Sequence, residues 1–193
     1  EHRVTTGGNT YTLDQPFFVL ATQNPIEQEG TYPLPEAQLD RFMFNILIDY
    51  PSEKEEQEIV KLLTMDNKVT IEPVINKEEL QSFQDLIKHV PVADNVIDYA
   101  VKLVGMTRPS NDDVPQITKD WLEWGAGPRA STFLVMAAQA KCLLEGKSTP
   151  EIKDIQSIAK PILRHRIITN FTAEADGVSK EDIIDQLIVH SQS

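Results

Sequence analysis

The sequence has little of what secreted and membrane-embedded proteins depend on. Its 193 residues include one cysteine, Cys142, which permits no intrachain disulfide and predicts a reducing, cytoplasmic compartment. Cys142 shares a helical stripe with Leu134 and Ala138, so we expect a small core residue there. No apolar run approaches the roughly 18 residues that a membrane-spanning helix needs, so no membrane partner is expected.

Basic residues are also scarce. Lys and Arg total 18 against 30 Asp and Glu, which gives a net charge of −12 at pH 7. A surface of this sign repels phosphate backbones, so nucleic acid is not expected as a partner. With 40% hydrophobic and 25% charged residues, the chain is predicted to be globular.

Familiar metal and nucleotide motifs are missing. The four histidines have no metal-ligand spacing, so no metal site is predicted. Gly146, Lys147 and Ser148 imitate the end of a phosphate loop, but Lys141 stands where that motif requires a glycine. A helix is also predicted to end there, whereas a phosphate loop precedes a helix.

Strand and turn signals are concentrated near the beginning of the chain. β-Branched residues around a Gly-Gly-Asn turn predict a hairpin over 4–13. Two apolar runs, 17–25 and 42–48, predict buried strands, with a short helix over 35–41 between them. The sequence begins at Glu1 without an initiator Met, and we therefore expect a fragment of a longer protein.

Helical signals dominate from residue 52 onward. Capping-box patterns at Ser52 and Ser179 predict two helix starts. A long helix with an apolar face is predicted over 129–145, and Trp121 and Trp124 are expected to share a short helix that ends at the next glycine.

The predicted fold class is therefore mostly α. A partial α/β core, made of a hairpin plus two strands, is expected over residues 1–51. An α-helical bundle is expected over residues 52–193, because the period of the apolar residues changes after Pro51.

Three polar side chains lie where chemistry is plausible, and Asn24 is the first. It follows the apolar strand 17–23, and ligands of open α/β sheets bind beyond the carboxyl ends of such strands. Its carboxamide could orient a water molecule or contact a phosphate. The alternative is an Asx-turn, in which the side chain bonds its own backbone.

Arg41 is the second, at the end of the short predicted helix and just before an apolar run. It could compensate the negative end of the helix dipole or pair with Asp40, which is the commoner arrangement. It could instead be presented to a phosphate held by a neighbouring subunit.

Arg129 is the third, just inside a helix that Pro128 is predicted to start. A helix N-terminus carries partial positive charge, so an arginine there is disfavoured by up to about 1 kcal/mol. A bound anion would reverse that preference, because both the dipole and the guanidinium would attract it. The alternative is an exposed arginine that reaches a nearby carboxylate.

Together these features resemble the MoxR family of AAA+ ATPases over nearly the whole chain. The specific stretches are FFVLATQNP at 17–25, LPEAQLDRF at 34–42 and GPRAS at 127–131, in that order. ILRHRI at 162–167 also resembles the lid of that family. The resemblance implies a partial AAA+ α/β core followed by an α-helical lid domain.

The resemblance also implies roles for the three side chains. Asn24 would be sensor 1, which positions the attacking water. Arg41 would be the arginine finger, which enters the adjacent subunit's site. Arg129 would be sensor 2, which reaches the phosphates from the lid. It further implies ATP and Mg²⁺ as cofactors of the full-length parent, a homo-oligomeric, hexamer-like ring, and chaperone-like maturation of partner proteins, among them von Willebrand A-domain proteins.

The sequence departs from the family in lacking a Walker A loop and a Walker B acidic pair. Both are expected upstream of Glu1 in a parent protein. We therefore expect this fragment alone to hydrolyse no ATP and to bear no bound nucleotide.

Two other functions remain open from the sequence. One is a DNA-acting AAA+ motor of the helicase-like branch, but its hairpin tip should carry Lys or Arg, whereas Gly7, Gly8 and Asn9 stand here. The other is a non-enzymatic helical interaction module, which predicts that Arg41 and Arg129 are dispensable.

Overall fold

The computed structural model describes residues 3–23, 34–65 and 71–191. In chain order the described elements are β1 (Arg3–Thr6), β2 (Asn9–Thr12), α1 (Glu36–Leu39), α2 (Glu53–Thr64), α3 (Lys77–Lys88), α4 (Asp94–Met106), α5 (Gln116–Trp121), β3 (Leu122–Trp124), α6 (Pro128–Leu144), α7 (Ile152–Leu163), β4 (Ile168–Thr169), α8 (Phe171–Ala175) and α9 (Lys180–His190).

The chain divides into two compact units by the density of its contacts. The first takes the described residues of 1–18 and 46–83, and the second takes those of 19–45 and 84–193. These units do not test the predicted domain boundary between residues 51 and 52, which stays a prediction.

In the first unit, the predicted hairpin is confirmed. β1 pairs antiparallel with β2, from Arg3 opposite Thr12 to Thr6 opposite Asn9. Gly7 and Gly8 join the strands with φ values of 56° and 79°, a combination that only glycine adopts readily. The predicted capping box is also present at the start of α2, where Ser52 and Glu55 each bond the other's backbone N–H.

The two predicted central strands are wrong within the described residues. Neither 17–23 nor 42–48 pairs with another strand, and the only described sheets are the two-stranded β1–β2 and β3–β4. The side chains of both runs are largely exposed, with Leu20 86% and Ile48 91% accessible. A strand requires a hydrogen-bonding partner, and the described residues supply none to these runs.

The second unit contains a helical core. Helices α4, α6, α7 and α9 contribute most of its fully buried side chains, and the predicted burial of Cys142 on α6 is confirmed. The largest of these side chains are Leu103, Leu134, Ile155, Ile162, Leu163, Ile183, Ile184 and Leu187. Burying such side chains is worth roughly 1.5–3 kcal/mol each before entropy is counted, so this core sets the positions of the helix ends.

The segment between α5 and α6 differs from its prediction. Trp124 lies in β3, which pairs with β4, whereas the sequence placed it in a helix with Trp121. Because the pairing partner is more than 40 residues away in sequence, the local pattern could not show it. The chain then passes so close to α4 that a Cβ on Gly125 would lie 2.3 Å from the Thr107 carbonyl oxygen.

Several helix boundaries are confirmed. Pro128 occupies the first turn of α6, Gly146 follows that helix with φ 72°, and Ser179 forms the predicted capping box at α9. None of the helices in the described part of the chain has the length and apolar character to cross a bilayer.

Candidate functional site

The start of α6 is held rigidly by the loop before it, and this fixes where Arg129 lies. Ala126 is buried, its N–H donates to Thr107 Oγ1 at 2.9 Å, and its carbonyl accepts from Arg108 Nε at 2.9 Å. Thr107 Oγ1 in turn donates to the Val104 carbonyl at 2.6 Å. Burial and hydrogen bonds to both of its backbone polar groups therefore restrain residue 126, and with it the start of the helix two residues later.

Arg129 pairs with Asp40. Its Nη1 lies 2.6 Å from Asp40 Oδ2, while 47% of the arginine side chain and 28% of the aspartate side chain remain accessible. The sequence left open an anion or a nearby carboxylate as the partner, and the structure shows a carboxylate. Half-exposed pairs of this kind typically contribute about 1 kcal/mol or less, so the contact can exchange.

The second oxygen of Asp40 contacts a different arginine. Arg166 Nε lies 2.9 Å from Asp40 Oδ1, and the Arg166 side chain is 1% accessible. Asp40 therefore lies between one buried guanidinium and one accessible guanidinium. A buried arginine is tolerated only if its N–H groups are satisfied, and those of Arg166 are.

Arg166 donates mainly to backbone carbonyls. Its Nη2 reaches the carbonyls of Asp40, at 2.9 Å, and Phe42, and its Nη1 reaches those of Met43, at 3.3 Å, and Ile162. Burial lowers the pKa of Arg166, and the hydrogen bond and charge of Asp40 oppose that effect. The guanidinium thus ties residues 40–43 to the end of α7.

Phe133 completes the surroundings of Arg166. The guanidinium carbon lies 5.0 Å from the centre of the Phe133 ring, within the range of a cation–π contact. Phe133 is one turn along α6 from Arg129. Arg166 therefore contacts both the helix that carries Arg129 and the segment that carries Arg41.

His165 adds a further tie to the same segment. Its Nε2 lies 3.0 Å from the Phe42 carbonyl, so the neutral ring donates there, and its buried Nδ1 has no hydrogen-bond partner. Burial, reinforced by the neighbouring Arg166 charge, lowers the pKa of His165 to about 4. A neutral ring at this position acts as a packing and hydrogen-bonding residue rather than as a helix-end cation.

Arg41 follows Asp40 directly and is exposed. Among the residues that the structure describes, its side chain has no hydrogen-bond or ion-pair partner, and the alternative of pairing with Asp40 does not occur. The helix before it is the predicted one, since α1 spans Glu36–Leu39. Asn24 lies outside the described residues, so its predicted position stays untested.

Sequence reasoning missed Arg166 and the bridging role of Asp40. The available signal was an arginine placed between buried residues, Leu163 before it and Ile167 after it, where a charge needs a partner. No group of three or more His, Cys, Asp or Glu within the described ranges could hold a metal ion.

Comparison with protein families gives two matches. Residues 1–44 match the ATPase family associated with various cellular activities (AAA), and residues 114–187 match the AAA lid domain. Asp40 and Arg41 fall within the first match, and Arg129 and Arg166 fall within the second. The candidate site thus joins the two matched regions.

Individual proteins are similar over nearly the whole chain. Chaperone MoxR1 of Mycobacterium tuberculosis is 36% identical over 97% of this chain and 50% of its own length. Protein YeaC of Bacillus subtilis is 40% identical over 97% of this chain and 56% of its own length. A crystal structure from Cytophaga hutchinsonii, provisionally described as an ATPase, is 37% identical with a TM-score of 0.89, over 97% of this chain and 57% of that one.

This chain spans about half the length of the curated relatives that it matches. The structural likeness confirms the mostly α fold class, with part of an AAA+ α/β core and a helical lid, although the two central strands are unpaired in the described residues. The family matches, the relatives and the order of the motifs agree, and the chain belongs to the MoxR family of AAA+ ATPases.

Proposed function

We propose that this chain is the sensor and lid portion of a MoxR-like AAA+ ATPase that couples ATP binding and hydrolysis to the remodelling or maturation of partner proteins. The supporting observation is the state of Arg129. It lies in the first turn of a helix whose start is restrained by hydrogen bonds, it is half exposed, and its partner among the described residues is a single, exchangeable carboxylate. A phosphate offers more charge and more acceptor oxygens than that carboxylate, and the helix dipole favours it too.

Each candidate residue has a distinct role in the proposal. Arg129 would contact the phosphates from the lid, Arg41 would stabilise the developing charge in a neighbouring subunit's site, and Asn24 would orient the attacking water. ATP with Mg²⁺ would supply the phosphoryl group in a protein of the relatives' length. This chain alone, which has no Walker A or Walker B motif, is proposed to hydrolyse no ATP.

The exposure of Arg41, which has no side-chain partner among the described residues, supports an assembled state. An exposed arginine without a described partner is suited to an acceptor on another molecule. We therefore propose a homo-oligomeric, hexamer-like ring, in which each subunit completes the site of the next. A von Willebrand A-domain protein is the proposed partner class, and a reducing cytoplasm is the proposed compartment.

The test measures ATP turnover by a protein of the relatives' length that contains this sequence. Arg129→Ala should lower kcat by roughly 100-fold, the usual cost of removing one preorganised charged donor. Lys160→Ala is the matched control, since Lys160 pairs with Asp185 at 2.7 Å with 37% and 55% of the side chains accessible. If both variants keep full turnover, the proposed role of Arg129 is wrong.

Arg41 requires a mixing experiment. Arg41→Ala should lower turnover by about 1,000-fold or more if it acts as an arginine finger. Adding subunits with a defective Walker B motif and an intact Arg41 should restore turnover, because the arginine acts in the adjacent site. Mixtures that stay as inactive as the separate variants would contradict the ring proposal.

A further inference from the structure

Arg166 contacts more of the candidate site than any residue that the sequence singled out. The 40–45 segment is attached to the end of α7 by Arg166, by His165 and by a hydrogen bond of 2.8 Å from Asn45 N–H to the Pro161 carbonyl. Arg166 alone supplies donors to the Asp40 carboxylate and to three carbonyls of this segment. Within the described ranges, the segment has no sheet pairing of its own to hold it.

We propose that Arg166 is the positioning residue for both candidate phosphate contacts. It holds Arg41 by fixing the backbone on either side of it, and it holds Arg129 through Asp40 and through Phe133 on α6. The proposal rests on the proposed function, because it assigns Arg166 an effect on residues whose own roles are proposed there. Arg166 itself contacts no reacting group.

The chemistry of the contacts requires an arginine. A guanidinium presents five N–H donors in a planar fork. Those of Arg166 reach five acceptors, one carboxylate oxygen and four carbonyls. A lysine has three donors at one point and cannot span this set. Arg166→Lys therefore keeps the charge while it releases most of the 40–45 segment.

Arg164 provides a matched control two residues away. It contacts Glu181 of α9, with Nε 3.1 Å from Oε1 but without hydrogen-bond alignment, and its side chain is 15% accessible. In the described part of the chain, Arg164 makes no hydrogen bond or ion pair with the 40–45 segment. Arg164→Lys and Arg166→Lys thus make the same chemical change at the same helix end, and only the second reaches the proposed site.

The experiment uses proteins of the relatives' length in a two-component mixture. One component, the acceptor subunit, carries Arg41→Ala and has an intact nucleotide site. The other, the donor subunit, has a defective Walker B motif and supplies an intact Arg41 to the acceptor subunit's site. A donor that also carries Arg166→Lys should support roughly 10- to 100-fold lower kcat at the acceptor's site than one that carries Arg164→Lys, because small misplacements of a catalytic group have costs of this order. The KM of the acceptor's site should stay unchanged.

Each result decides between the alternatives. Equal rescue by the two lysine donors would overturn the positioning role while leaving the proposed function intact. If the donor subunit without a lid substitution does not restore turnover, the proposed function is wrong, and this inference is wrong with it. Thermal melting and assembly size of each donor establish that it folds and joins the mixture.

A second donor covers the case in which Arg166→Lys does not fold. Phe133→Leu removes the ring beneath the guanidinium but leaves every hydrogen bond in place. Rescue should then fall by about 3-fold, in line with a lost cation–π contact of roughly 0.5–1 kcal/mol. Undiminished rescue by this donor would count against the inference.

Discussion

Protonation of His165 should destabilise the second unit, and the structure gives the size of the effect. The neutral ring donates one hydrogen bond to the Phe42 carbonyl and lies beside the buried Arg166 charge. A second positive charge there would lose hydration and repel the guanidinium. In the unfolded chain neither cost exists, so the ring regains an ordinary pKa near 6.5.

The sign follows from proton binding. Because the folded pKa, about 4, lies below the unfolded value of 6.5, the unfolded chain binds more protons between those two pH values. The stabilisation is therefore complete above about pH 6.5 and is lost as the pH falls toward about 4. At about 1.4 kcal/mol per pKa unit, the largest loss in the free energy of unfolding that this shift allows is about 3 kcal/mol. The ring is only partly buried, so solvent screening reduces the expected loss to about 2 kcal/mol.

Urea unfolding at about pH 7.5, 5.5 and 4 measures this loss. His165→Gln keeps an N–H donor within reach of the Phe42 carbonyl but cannot be protonated, so its stability should fall about 2 kcal/mol less over this range. His190→Gln, at the exposed end of α9, is the control and should behave like the unmodified chain. If His165→Gln loses stability in parallel with the unmodified chain, the ring does not titrate as argued.

Three further substitutions or reactions test the packing around the site. Gly125→Ala should lower the free energy of unfolding by about 1–3 kcal/mol, because its Cβ would clash with the Thr107 carbonyl. Gly105→Ala has room for a Cβ and should raise that free energy by up to about 1 kcal/mol. Similar urea midpoints for the two variants would contradict this reasoning. Leu134→Ala should cost about 2–5 kcal/mol in the same assay, while Leu144→Ala, at a residue 90% accessible, should cost under about 0.5 kcal/mol. Burial raises the pKa of Cys142, so a thiol reagent should modify the folded chain only as fast as it unfolds, and prompt labelling would refute the burial.

Local chemistry explains what the sequence could predict of the fold. The hairpin follows from two adjacent glycines that accept positive φ, and the starts of α2, α6 and α9 follow from Ser52, Pro128 and Ser179. Each of these signals acts within about four residues of itself. The apolar runs 17–23 and 42–48 failed as strands because strand formation depends on a partner that a local pattern does not contain.

The candidate site was predictable only in part. The sequence identified Arg129 and gave a carboxylate partner as one alternative, but the choice of Asp40 depends on a contact between residues 89 positions apart. Arg166 was missed because four of its five acceptors are backbone carbonyls, which have no sequence signature, and three of those lie 123 to 126 residues away. The roles of Asn24, Arg41 and Arg129 stay predictions.

The asymmetry of the Asp40 carboxylate has a consequence for ligand exchange. Oδ1 faces the guanidinium of Arg166, which is buried and donates to five acceptors. Oδ2 faces the guanidinium of Arg129, which solvent reaches. If Arg129 leaves Asp40 for a phosphate, as proposed, the aspartate keeps the Arg166 counter-ion beside it. The phosphate would then meet a compensated carboxylate rather than a bare negative charge, so the exchange would not be opposed by an unpaired aspartate.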